Sequence, residues 1–192
     1  TALPLASRAE AEAARLAPRD VLEGAHGPVV RRAVEDRLAI AGILATLSKD
    51  DLALLPEMEP TVDALVERAA SLAQVLQRLD TDVSPEMVAR IDARIASVER
   101  EPEDSADRER RLELLRRQQR TMRDLADRRQ TVLVQMESAS TMLGSLRLDL
   151  VRLRSSGVES AVHDVANATR EARALSKEIG HVLDAASELR TL

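Results

Sequence analysis

Three histidines, a run of arginines and two clusters of carboxylates are the side chains with chemistry to offer, and their spacing decides how much. His163 and His181 are five helical turns apart and share a helix face. At 1.5 Å of rise per residue they stand about 27 Å from one another, too far to share a metal ion. Their neighbours Glu159, Asn167, Glu178 and Asp184 are ordinary company on a charged helix, so both histidines read as surface positions. His26 falls in the run Gly24-Ala25-His26-Gly27-Pro28, which reads as a loop. No metal site is expected.

The basic stretch comprises Arg108, Arg110, Arg111, Arg116, Arg117, Arg120, Arg123, Arg128 and Arg129, nine arginines against five acids over 107–129. Such a face suits phosphate, but the chain has no aromatic residue to stack on a base. Glu109, Glu113, Asp124 and Asp127 offer pairing along the helix instead. The stretch reads as a solvated face, and with a net charge of −5 no nucleic-acid partner is expected. Asp50, Asp51, Glu57, Glu59 and Asp63 form one acidic cluster, and Glu99, Glu101, Glu103 and Asp104 the other. Neither has the alternating acids and central glycine of a calcium loop, so both read as solubilising loops. A glycine-rich phosphate loop, a Gly-x-Ser-x-Gly elbow and a His-Glu-x-x-His pair are all missing. The expectation is therefore a non-enzyme with no catalytic residues, no cofactor and no small-molecule substrate.

The elements that carry these residues are helical. Phe, Tyr and Trp are absent from 192 residues, so the core must be built from many small aliphatic contacts. Hydrophobic residues make up 44 % and charged residues 32 %, with six Gly and seven Pro. Leu, Ala, Arg and Glu, the good helix formers, dominate. The near-exclusive use of Arg over Lys reads as high-GC bacterial coding. Without Cys there is neither a disulfide nor a thiolate site. The longest strongly apolar stretch, 38–47, is about half of what a membrane span requires. No signal peptide is visible, and the expected location is cytoplasmic. The chain starts at Thr1, which reads as a piece of a longer protein.

Residues 1–27 read as a linker or weakly docked arm, with a short helix around 6–17. A short-helix bundle follows over 28–103. Its first helix starts at Pro28 and carries Val30, Val34, Leu38, Ala41 and Leu44 on one face. Ser48-Lys49-Asp50-Asp51 caps a short helix over Leu52 and Leu55 that Pro56 ends. From Pro60, Val62, Leu65, Ala69, Leu72, Leu76 and Leu79 step by three and four along a helix of about twenty residues. Asp80-Thr81-Asp82-Val83 reads as a turn, and Ser84-Pro85-Glu86 opens a helix lined by Met87, Ile91, Ile95 and Val98.

Residues 104–192 read as a long coiled-coil hairpin. Leu112, Leu115, Gln119 and Met122 begin a seam, which slips near Leu125 and resumes as Val132, Met136, Ala139, Leu143, Leu146, Leu150 and Leu153 on one helix of nearly fifty residues. After Ser155-Ser156-Gly157 a second seam runs through Ala161, Val165, Ala168, Ala172, Leu175, Ile179, Val182, Ala186 and Leu189. A left-handed cap at Gly157 folds the two helices back antiparallel; the alternative is a single continuous rod. The fold class is thus all-α, a helical bundle with a long antiparallel coiled-coil hairpin. The two seams are the expected interaction surface.

Two segments carry a family likeness. Leu54-Leu55-Pro56 followed by Pro60-Thr61-Val62-Asp63-Ala64-Leu65-Val66-Glu67-Arg68, and Glu171-Ala172-Arg173-Ala174-Leu175-Ser176 running into Ile179-Gly180-His181, resemble the helical region that follows the catalytic domain in a group of bacterial serine/threonine protein kinases. The resemblance implies a non-catalytic tail, with ATP chemistry in a preceding domain; His-Arg-Asp and Asp-Phe-Gly motifs are lacking here. The functional expectation is a helical interaction or oligomerisation module of a larger bacterial signalling protein, partnered by itself or by another helical protein. The alternatives are a signal-transmitting cytoplasmic bundle, in which the register slips support two packings, and an amphipathic lipid-surface protein, which the mixed-sign polar faces disfavour.

Overall fold

The computed structural model describes residues 5–102, 106–156 and 159–188. Eight helices are described, in the order α1 (Leu5–Leu16), α2 (Arg19–Glu23), α3 (Gly27–Leu44), α4 (Lys49–Ala53), α5 (Met58–Asp82), α6 (Pro85–Glu99), α7 (Ala106–Ser156) and α8 (Glu159–Glu188), and no strand occurs among the described residues. The protein is an all-α helical bundle. Two compact units form, one from 1–77 and 132–192, the other from 78–131, so the division falls inside α5 and inside α7. These boundaries differ from the 28–103 and 104–192 division expected from the sequence. The physical reason lies in α7: between Leu115 and Val132 it has no buried residue, and that gap marks where its core partners change.

In the first unit the three-and-four spacing is translated into burial. Val62, Leu65, Ala69, Leu72 and Leu76 of α5 are all enclosed, as are Val132, Met136, Ala139, Leu143, Leu146, Leu150 and Leu153 of α7. Hydrogen bonds and ion pairs give the helix directions. Gln135 donates to Glu178 at 2.6 Å and Arg152 pairs with Asp164 at 3.5 Å, which sets α8 antiparallel to the end of α7. That arrangement excludes the continuous rod; Gly157, the expected turn, lies outside the described residues. Arg68 donates to the Ser176 carbonyl, Glu57 pairs with Arg173 at 3.3 Å and the Thr169 hydroxyl reaches Met58 Sδ at 3.7 Å. These contacts lay α8 along α5 as well. Helix α8 therefore sits between two neighbours and is not one arm of a free two-stranded hairpin.

The same fact corrects the α8 seam. Ala161, Val165, Ala172 and Ile179 are buried, whereas Ala168, Leu175, Val182 and Ala186 are half-buried and Leu189 lies outside the described residues. Thr169 and Ser176, polar and off the predicted seam, are enclosed instead. Facing two helices widens the buried arc, and the Thr169 hydroxyl meets the cost of burial by donating to the Val165 carbonyl at 2.7 Å.

Residues 5–23 do not form a weakly docked arm. Ala9, Ala13, Ala17, Val21 and Leu22 are buried, and α1 and α2 pack on α3. Alanines allow close approach, and Arg31 bridges to Glu10 at 2.8 Å and to the Leu22 carbonyl at 2.8 Å. Arg37 reaches Glu12 on α1 and Asp63 on α5. Gly27 opens α3 hard against the Leu22 backbone, where a methyl group would collide with the carbonyl. His26, just before it, is enclosed and partnered in that tight turn and is not a surface position.

Candidate functional site

Two places combine polar groups with open space. The first lies between α3 and α7. Asp36 is buried, its Oδ1 accepting from Arg147 Nη1 at 3.0 Å, while Oδ2 is enclosed without a hydrogen-bond partner. Gly144 faces it, leaving 3.9 Å between Oδ2 and the position a Cβ would take. A cleft of ≈ 520 Å³ adjoins the pair, with Arg32, Ser140, Thr141 and Ser145 on its walls. Oδ2 is sealed from solvent and Oδ1 is held by Arg147, so the pair ties α3 to α7. It is an interhelical clamp.

The second place lies wholly in the 78–131 unit and is built from local signals. Ser84 accepts from the Met87 N–H at 3.2 Å and Pro85 occupies the first turn, so α6 starts where the sequence says it should. The Glu86 carboxyl is held below the usual range by its own backbone N–H and then by the Ser84 hydroxyl. Helix α5 extends to Asp82, so 80–82 are helical and not the expected turn; Arg129 pairs with Asp80 there. At the far end of α6, Arg108 donates to the Val98 and Glu99 carbonyls at 3.0 and 2.9 Å, satisfying groups a helix terminus leaves open. Gln119 to Asp92 at 2.6 Å, Arg116 to Glu99 at 3.1 Å and Arg111 to Glu101 tie α6 and α7 antiparallel. Ile91, Ile95, Val98, Leu112 and Leu115 form the core between them.

On the outside of this pair runs an open groove of ≈ 620 Å³. Val98, Leu114, Leu115 and Met122 supply its apolar surface, and Arg94, Arg111 and Arg117 its rim. Leu114 is 58 % exposed. Arg111 is engaged by Glu101, but the side chains of Arg94 and Arg117 have no hydrogen-bond or ion-pair partner among the described residues, and no carboxylate lines the groove. An apolar floor with a cationic rim fits an aliphatic segment bearing acids.

The predicted interaction residues on α7 and α8 go elsewhere: Val132, Met136, Ala139, Leu143, Leu146, Leu150, Leu153, Ala161, Val165, Ala172 and Ile179 sit in the chain's own core. His163 and His181 are exposed, and among the described residues no group of three or more metal-binding side chains is assembled. Of the arginine stretch, Arg108, Arg111, Arg116 and Arg129 are engaged within their own unit and are not simply solvated. Sequence reasoning passed over Leu114, which lies off the Leu112–Leu115 seam; the adjacent Leu114-Leu115 pair was the available signal, since one helix face cannot bury both. It also passed over Arg94 and over Asp36, an acid on the face that Ala33 and Ile40 bury.

The stretches 54–68 and 171–181 meet in the first unit, through Arg68 with Ser176 and Glu57 with Arg173. No family model, curated protein or solved structure matches the chain. No helix among the described residues is long and apolar enough to cross a membrane.

Proposed function

We propose that the chain is a helical interaction module, without catalysis of its own, serving a larger signalling protein such as a serine/threonine kinase, as the likeness of two segments to the helical region after such a catalytic domain suggests. One observation carries the reading: Leu114 stands exposed on the floor of a groove whose Arg94 and Arg117 have no acid to meet. Exposed aliphatic surface next to unpaired cations is the chemistry of a docking face. The predicted seams do not supply that face, because the chain's own helices already cover most of them.

A photo-reactive residue placed at position 114, with a control at exposed position 154, tests the reading in cells. The expected result is a discrete protein adduct from position 114 and none from position 154. Equal or absent labelling at the two positions removes the reading.

A further inference from the structure

We infer that the groove of the 78–131 unit takes the acidic, leucine-bearing turn at 49–59 of a second copy of the chain. The inference rests on the interaction-module reading and names the partner.

Among the described residues the large exposed aliphatics are Leu52, Leu54, Leu114, Val134 and Leu148. Two of them stand together on the α4 turn, and a third is the groove's own Leu114. Leu54 is 59 % exposed and Leu52 37 %. The turn is formed before any partner arrives: the Ser48 hydroxyl accepts from the Asp51 N–H at 3.1 Å, and the Leu55 N–H donates to the Leu52 carbonyl at 3.0 Å. A preformed knob loses little entropy on docking.

Charge selects the pairing. Asp50, Asp51, Glu57 and Glu59 surround the two leucines, with Lys49 the only cation over 49–59. The side chains of Asp50 and Glu59 have no hydrogen-bond or ion-pair partner among the described residues, as those of Arg94 and Arg117 have none at the groove. Docking Leu54 against Leu114 and Met122 would cover exposed apolar surface and bring the free acids to the free arginines. Val134 and Leu148 lack such a cluster of acids: Leu148 stands between one acid, Asp149, and the cation Arg147, and Val134 between Leu133 and Gln135. Knob and groove are different surfaces, so a pair joined by one contact keeps one knob and one groove unused, and copies add head to tail. Dissociation in about the micromolar range is expected.

Sedimentation of the whole chain tests this, with interference optics because no aromatic residue absorbs. The average mass is expected to rise with concentration past that of two chains, and to fall back when salt screens the charges. Leu54→Asp and Leu114→Asp alter exposed positions, so unchanged circular dichroism confirms folding. Each should weaken self-association at least about tenfold, as replacing a docked leucine by a carboxylate demands. The decisive arm mixes the two variants, one with an intact groove and the other with an intact knob. A one-to-one complex that stops at two chains is expected, and failure to form it overturns the inference. So does a wild-type chain that stays monomeric at about 100 µM, or association that ignores both substitutions. A monomer whose position 114 still labels a foreign protein sinks the second-copy assignment alone. A monomer with no such adduct sinks the interaction-module reading with it.

Discussion

The two units are stabilised in different ways. In the unit formed by 1–77 and 132–192, Leu65, Leu72, Leu76, Leu143, Leu146 and Leu150 are completely enclosed, and helices α1, α3, α5, α7 and α8 share their burial. In the 78–131 unit the buried aliphatics, Leu79, Val83, Ile95, Val98, Leu112 and Leu115, all keep 6–9 % of their surface exposed. Polar ties do much of the holding there, through Arg108, Arg111, Arg116, Gln119 and Arg129. Exposed ion pairs contribute about 0–1 kcal/mol each, while an enclosed leucine contributes about 1.5–3 kcal/mol. A thin core with open apolar flanks can accept a partner helix; a full one cannot.

Leucine truncation should break this contrast most visibly. Leu143→Ala is expected to cost about 3–4 kcal/mol and to lower the midpoint of urea unfolding, followed by circular dichroism because the chain has no aromatic reporter. Leu115→Ala should cost about 2 kcal/mol and speed amide exchange mainly over 85–131. If the two losses are equal, the contrast between the units is wrong.

Charge removal comes next. Arg147→Ala leaves the enclosed Asp36 carboxylate without its partner and should cost about 3 kcal/mol, the lower end of the range for an orphaned buried charge because Arg147 itself is half-exposed. Adding Asp36→Leu should recover most of that loss. In the 78–131 unit, Arg116→Ala should cost under about 1 kcal/mol in the same unfolding measurement.

Removing the cap, Ser84→Ala, is expected to cost about 1 kcal/mol and to fray the first turn of α6, seen as faster exchange of the Met87 amide.

Acid titration should give the smallest effect. Glu86 is held low by its own N–H and the Ser84 hydroxyl, and Glu10 by its hydrogen bond to Arg31. A carboxyl depressed on folding adds stability above its unfolded pKa, and this is lost as pH falls through the lower folded value. Both contributions should therefore be intact at neutral pH and fade just below the ordinary glutamate range. Carboxyl NMR titration of the two residues checks the direction, and a value for either above an unstructured glutamate contradicts the sign.

Much of the helix content was legible in the chain. Ser48 and Ser84 mark their caps, Pro28 and Pro85 their first turns, and the α5 and α7 stripes become buried faces because a period of three and four admits no other regular structure. The groove was not legible. Leu114 looks like a spare aliphatic until α6 brings Arg94 and Val98 alongside it.

What the sequence determined by itself was local: helix type, caps and aliphatic stripes follow from propensity and spacing within a few turns. Tertiary structure alone decided which stripe meets which. It set α8 between α5 and α7, buried Thr169 and Ser176, docked 5–23 on α3 and sealed Asp36 behind Arg147. The reason is that a heptad stripe specifies a face but not its partner. Partner choice depends on contacts between residues far apart in the chain, which no local pattern encodes.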